Sequence, residues 1–369
     1  MEFRLTQDQE LLQETIRDFA KDEISPQASK IDLDAGIPGD LLSKLPSLGL
    51  FGITTPSEYG GAGADFLSLL LVIEELSKVS GSLGARISFH NAVVCEAILN
   101  SPNDALKSAL LPKLASGTMG AFSIDPTSTV SCKIEGEDFV LDGHSEYVLS
   151  ADTAGVFLIL AKMRDAGKTF FCFSKERESS GFQIDAPKKL LGMRAGGTAK
   201  ISFNSFRLPK DAKVFDGEGN SIALNHILAT SRLAVAGQAL GIGQAALDAE
   251  LKYANERSQF NSKIGKFYAV KDFISMDQIS LQTSRLLTYK TAAEIGTLQT
   301  LDRDSCVAKV SASSAAVQTA RHSIRVHGGY GFIRDYPVER YLRDARVTQS
   351  YLESNESLKA KIAESLLGN

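Results

Sequence analysis

The chain predicts an α+β protein built from three successive regions: helices, a small sheet, then a helical bundle. Three observations carry this. Apolar residues recur at helical spacing through residues 1–118. β-rich runs bounded by glycine or polar residues replace them over 119–215. Helical patterning returns over 216–369 in long segments with short connections, which implies an antiparallel bundle.

Thr6 is placed to cap a first helix in which Leu11, Leu12, Ile16 and Phe19 share a face, with Pro26 as its end. A short helix follows between Pro38 and Leu45. After the glycine-rich turn Tyr59-Gly60-Gly61-Ala62-Gly63, helices are expected over 66–76, 85–99 and 105–114. The period then changes. Phe139-Val140-Leu141 leads into Asp142-Gly143, read as a turn. The runs 156–161, 169–173 and 199–203 read as strands of a mostly antiparallel domain. Further on, 231–255, 270–297 and 305–326 read as long helices. Gly237, Gly241 and Gly243 weaken the first of these intrinsically but permit close helix packing. Gly328-Gly329 breaks the chain before a short helix over 338–345 and a last one from Glu356.

A chain of 369 residues is long enough for two or three domains. Net charge is −4 and the isoelectric point about 5.8, so nothing electrostatic favours nucleic acid or an acidic membrane surface as partner. Cys95, Cys132, Cys172 and Cys306 form no CxxC pair and read as buried free thiols. No histidine shows metal-ligand spacing, so no metal is expected. The opening MEFRLTQDQE is not a signal peptide, and no apolar run is long enough to span a bilayer. A cytoplasmic protein is the resulting expectation. His90 and His144 lie where a substrate pocket is conceivable, whereas His322 and His327 read as packing or helix-end residues.

Several motifs in fixed order carry a resemblance that covers essentially the whole chain. They are the Tyr59–Gly63 turn, Lys189-Leu190-Leu191-Gly192-Met193-Arg194, Gln238-Ala239-Leu240-Gly241-Ile242 and Tyr253-Ala254-Asn255-Glu256-Arg257-Ser258-Gln259-Phe260. His327-Gly328-Gly329-Tyr330-Gly331-Phe332 and Tyr341-Leu342-Arg343-Asp344-Ala345 complete the set. Together they resemble the acyl-CoA dehydrogenase family. The resemblance implies an N-terminal helical domain, a β-barrel-like middle domain and a C-terminal four-helix bundle. It also implies FAD between the last two, and a homotetramer or homodimer. Arg257 matches the family arginine that pairs with the FAD pyrophosphate, usually of a neighbouring subunit, and its planar fork suits two phosphate oxygens. An ion pair with Glu256 or a solvated helix end is its other reading. Phe260 would pack beside the cofactor, or else be core. Gly328 and Gly329 would admit the adenosine part, or cap a helix.

Three departures from the family pattern fall at the chemical centre. Ile124-Asp125-Pro126 stands where the family has Thr-Glu-Pro, replacing a flavin-facing hydroxyl, with Ser123 and Thr127 beside it. Tyr147-Val148-Leu149-Ser150 stands for Trp-Ile-Thr-Asn: Tyr147 keeps an aromatic plane, while Leu149 loses a hydroxyl. Tyr351-Leu352-Glu353-Ser354 stands for Tyr-Glu-Gly-Thr, so Leu352 occupies the position of the family's base. Some members carry the glutamate just before the arginine opening the first bundle helix, and here that residue is Ser231, before Arg232. Thioester dehydrogenation needs a base for the α-proton while the flavin takes the β-hydride, and a positioned base contributes about 10²–10⁴ in rate. Glu353 is the neighbouring carboxylate, but one residue along a helix turns a side chain by about 100°. It is a candidate catalytic group only if the loop is rebuilt; otherwise it is a surface carboxylate. By the same resemblance Ser150, Ser354 and Glu356 are candidates for FAD contacts, and Arg232 for a substrate contact.

The reading that follows is an FAD-dependent oxidoreductase of the CH–CH type acting on an acyl thioester, carried by CoA or by an acyl-carrier protein. Its reaction would be specialised or biosynthetic, and its electron acceptor is left open. An inactive structural or regulatory subunit paired with an active relative is the alternative. A flavin monooxygenase on the same fold ranks below both.

Overall fold

The computed structural model describes residues 4–123, 127–163, 167–176, 180–215, 219–296 and 300–368. Helix α1 (Gln7–Phe19) starts at Thr6 through a reciprocal cap. The Thr6 hydroxyl accepts from the Gln9 N–H at 3.2 Å, and Gln9 Oε1 accepts from the Thr6 N–H at 3.0 Å. Pro26 does not end a helix as expected. The α-helix gives way at Ala20 to a π-turn (Ala20–Ile24), and Pro26 sits in the following 3₁₀ turn (Ser25–Gln27), where an early position needs no N–H. The remaining N-terminal helices are α2 (Ala28–Asp34), α3 (Gly39–Lys44), α4 (Phe66–Val79), α5 (Gly81–Phe89), α6 (Glu96–Leu99) and α7 (Asp104–Ala115). Asp65 and Ser80 cap α4 and α5, and a π-turn (His90–Cys95) joins α5 to α6. Both α4 and α5 are buried nearly all round, as expected of helices without a polar face.

The middle region is one curled sheet of β1 (Gly120–Ser123), β2 (Ser131–Glu135), β3 (Asp138–Val148), β4 (Val156–Met163), β5 (Gly167–Ser174), β6 (Phe182–Ile184) and β7 (Ala199–Leu208). The strand order is β1-β4-β2-β3-β7-β6, with β5 on β4. β4 runs parallel to β1 and β2, and the other pairings are antiparallel. The curl is filled by rings: Phe182 lies 5.0 Å from Phe157, 5.2 Å from Phe173 and 5.4 Å from Phe203, centroid to centroid. Asp142-Gly143 is not a turn. It lies inside β3 at a shift in register against β7, and Gly143 has φ +108°. A Cβ there would come within 2.4 Å of the Thr129 carbonyl, so a bulge, not a reversal, requires the glycine.

The C-terminal region holds α8 (Gly219–Glu256), a hairpin of β8 (Ser258–Gln259) and β9 (Ser262–Lys263), then α9 (Tyr268–Ala293), α10 (Leu301–His327), α11 (Val338–Ser350) and α12 (Asn355–Leu367). α8 packs on α10, α9, α11 and the N-terminal α4. Its glycines do what the sequence suggests: a Cβ on Gly241 would lie 2.3 Å from the Glu74 carbonyl. All four cysteines are buried and free. Among the described residues no helix is long and apolar enough to cross a membrane.

The three regions meet at the segment from Leu191 to Gly197. From α5, Arg86 Nε donates to the Ala195 carbonyl at 2.9 Å, and its two Nη atoms grip Asp152 at 3.0 and 2.7 Å. Ser82 Oγ accepts from the Ala195 N–H. From α11, Asp344 Oδ1 accepts from the Met193 N–H at 2.6 Å, and Arg343 donates to the Leu191 carbonyl while pairing with Asp32 of α2 at 2.7 Å. Burial, only partly offset by the Met193 N–H, pushes Asp344 up to about 6. On the other side of the sheet, His90 Nδ1 accepts from the Gly120 N–H at 3.0 Å and Nε2 meets the Phe51 carbonyl at 2.7 Å. Burial lowers His90 to about 4, so the ring is neutral and both nitrogens are in use. His90 is therefore a joint between helices and sheet and not a free pocket residue.

Two predictions follow from this junction. Arg86→Met removes the guanidinium donors of Asp152 and the Ala195 carbonyl, and chemical denaturation should register a loss of about 3 kcal/mol. The folded protein holds a proton on Asp344 that the unfolded chain releases above its ordinary 3.8. Stability is therefore lost as pH rises from there to about 6. Asp344→Asn keeps an acceptor for Met193 and removes the titration. Its unfolding midpoint should rise relative to the parent across that window and run parallel above it.

Candidate functional site

The expected site residues fall into three groups. The first lies at the C-terminal end of α8. Arg257, Gly328 and Gly329 line one cavity of about 450 Å³, together with Tyr253, His327 and Tyr330. The Arg257 guanidinium lies over the Tyr330 ring, 5.7 Å from its centroid. Among the described residues no ion pair joins Arg257 to Glu256. His327 forms the floor: it is buried, its Nδ1 donates to the Ser323 carbonyl at 2.7 Å, and it stacks on Tyr253 at 4.1 Å. Gly328 has φ +61° and ψ −134°, a combination confined to glycine. No atom lies within 4 Å of a Cβ built on Gly328 or Gly329, so the cavity is open over both. A cationic fork beside bare backbone fits a pyrophosphate. Phe260 does not line this cavity. It sits at the tip of the β8–β9 hairpin, 91% exposed, with Phe260 and Asn261 both left-handed at φ +50° and +58°. That is the turn geometry a two-residue hairpin demands, here imposed on a residue that dislikes it.

The second group surrounds the turn between α11 and α12. Leu352 has φ +65°, and the Glu353 N–H donates to the Tyr351 carbonyl at 3.0 Å, so the chain reverses tightly at Leu352. The Glu353 carboxylate consequently meets Arg232 Nε at 2.7 Å and Lys361. Burial alone would raise it, but the bond and charge of Arg232, with those of Lys361, outweigh this and hold the carboxyl below its usual range. Arg232 is itself buried and also grips Asp302 at 2.5 Å, with Nη2 left unpartnered. Ser231 donates to the Leu228 carbonyl at 2.8 Å. Ser354 caps α12, accepting from the Ser357 N–H at 3.1 Å, and Glu356 is exposed in its first turn.

The third group ends β3. Tyr147 is half exposed, with Lys188 Nζ 5.0 Å from its ring centroid. Leu149 is buried against Gly196, and Ser150 is buried at φ +61° with an unpartnered hydroxyl. Ile124 lies outside the described residues. His144 is on the surface beside Glu146, whose carboxylate is held down to about 2 by Lys188 and Lys200. No residue of the second or third group lines the Arg257 cavity.

Sequence reasoning missed the supports of the Leu352 turn. Buried Lys309 of α10 donates to the Glu353 carbonyl at 2.7 Å, to that of Gln349 at 3.3 Å and to Asn355 Oδ1 at 3.0 Å. Desolvation lowers it to about 8 against the pull of Glu353 and Glu356. On the other side, the Tyr351 hydroxyl donates to Gln238, Gln238 donates to Ser88 Oγ at 2.5 Å, and Tyr351 stacks on Phe89 at 5.4 Å. A signal for Lys309 existed: it repeats at helical spacing with Ser313, Ala316 and Ala320 on the buried face of α10.

Comparison with known proteins agrees with this architecture. Residues 6–118 match the family described as acyl-CoA dehydrogenase, N-terminal domain, and 217–367 match acyl-CoA dehydrogenase, C-terminal domain. An acyl-CoA dehydrogenase of Bacillus subtilis is 33% identical, over 99% of each chain. A 3-(aryl)acrylate reductase of Clostridium sporogenes is 31% identical, over 98% of this chain and 99% of that one. The butyryl-CoA dehydrogenase structure from Megasphaera elsdenii superposes with a TM-score of 0.94 at 25% identity, covering both chains in full. The chain belongs to the acyl-CoA dehydrogenase family and is an FAD-dependent oxidoreductase.

Proposed function

We propose that this protein carries out a specialised oxidation or reduction on an acyl thioester, carried by CoA or by a carrier protein, and is a poor dehydrogenase of ordinary fatty acyl-CoA. The observation that carries this is the turn at Leu352. The family's base position holds an alkyl side chain, and the nearest carboxylate, Glu353, is engaged by Arg232 and Lys361. A carboxylate held ionised by two cations is a weak acceptor for an α-proton. Ser231, at the alternative position, is equally unsuited. Glu353 and Arg232 thus serve each other in this reading, and neither is assigned to the reacting thioester.

Arg257, Gly328 and Gly329 would hold the pyrophosphate end of FAD, and Tyr147, Leu149 and Ser150 would border its ring. Bound FAD supplies the two-electron exchange of a hydride. The exposed aromatic at Phe260 supports a second copy of the chain as part of that site. So does the exposed apolar row Met276, Ile279 and Leu286 along α9, which suits self-association.

The test is the visible spectrum of the purified protein before and after addition of acyl thioesters. A flavin spectrum with slow or no bleaching by butyryl- or octanoyl-CoA is expected. Brisk turnover of either would overturn the proposal, and a colourless protein assembled with an active relative would favour the inactive-subunit reading. Leu352→Glu restores a carboxylate at the base position and should raise the rate with these substrates by about 10²–10⁴.

A further inference from the structure

Below the Arg257 cavity, the interior of the bundle holds three ionisable side chains from three helices. Glu250 of α8 and Asp277 of α9 are both fully buried. His322 of α10 places Nδ1 2.9 Å from Asp277 Oδ1 and stacks on Phe273 of α9, centroids 4.4 Å apart. Arg325, one turn along α10, lies over the same ring at 4.9 Å. Neither oxygen of Glu250 meets a donor, nor does Asp277 Oδ2, and the buried Thr319 and Ser323 hydroxyls of α10 are also unpartnered. Two neighbouring buried carboxylates, three of whose four oxygens meet no donor, are not tolerated as a pair of charges in a protein interior. A proton between the carboxyls removes one charge and gives the orphaned oxygens a donor.

We propose that Glu250 and Asp277 share one proton inside the bundle, forming a joint between α8 and α9 that weakens when the proton is lost. Asp277 is the titratable group beside Glu250; His322 and Glu250 are the titratable groups beside Asp277, with Thr319 next to it. Burial first, and Asp277 second, push Glu250 up to about 8. Burial likewise raises Asp277, against the pull of His322. The joint lies seven residues before Arg257 on α8, about 10 Å along the axis, and under two turns before Gly328 on α10.

The sign is fixed by linkage. The folded chain holds a proton that the unfolded chain releases above 4.5, so stability is lost progressively as pH rises from there to about 8. Glu250→Gln keeps a donor for Asp277 and cannot ionise. Thermal unfolding of the full chain should show the midpoint of the parent falling by several degrees relative to Glu250→Gln across this window, then running parallel. Parallel profiles throughout would overturn the proposal. A second measurement needs no variant. Infrared titration of the wild-type chain in D₂O should reveal a protonated-carboxyl C=O band at neutral pH that disappears with a midpoint near 8, and the absence of any such band would overturn it equally.

Discussion

The hold on the Leu191–Gly197 segment is the constraint on which the arrangement of the three regions depends. It belongs to the sheet region by sequence, yet its backbone is bonded from α5 through Arg86 and Ser82 and from α11 through Asp344. Its own geometry leaves little slack. Met193 and Gly197 are both left-handed, and a Cβ on Gly192 would fall 2.2 Å from the Arg343 carbonyl. A segment held from two sides at hydrogen-bond distance fixes its neighbours in turn. The end of β3, where Leu149 packs on Gly196, is aligned by the same bonds that align α5 and α11.

The turn at Leu352 is ordered by comparable means. A buried ammonium draws together the Gln349 and Glu353 carbonyls and the Asn355 side chain, and a buried guanidinium draws in the Glu353 carboxylate. The alkyl side chain at Leu352 has not left this turn slack. Its supports are charged, buried and mutually satisfied apart from Arg232 Nη2, an expensive arrangement for a segment without a task.

Much of the fold was legible because its signals are local. Thr6 with Gln9 announces the first cap, and the long apolar periods announce α8, α9 and α10. Pro26 misled because a proline early in a 3₁₀ turn costs no hydrogen bond, so packing carries the chain through it. Gly143 misled because a bulge and a tight turn ask for the same residue. At the site, Leu149, Leu352 and Ser231 could be read from the motifs as departures from the resemblance, but the surroundings of Glu353 could not. Its partner Arg232 stands 121 residues away, and only folding brings them together. The Glu250–Asp277–His322 cluster was illegible for the same reason, with each member on a different helix.

His90 has a mechanical consequence. With Nδ1 committed to the Gly120 N–H, Nε2 to the Phe51 carbonyl, and protonation suppressed to about 4, the seam between the N-terminal helices and the sheet contains a strut that is indifferent to acidity near neutrality. The opposite seam is fastened by Asp344, which titrates near 6. The sheet region is thus held by one contact whose charge is fixed near neutrality and by another whose charge is not. Acidification through about 6 therefore changes the charge at one of these contacts and leaves the other as it was.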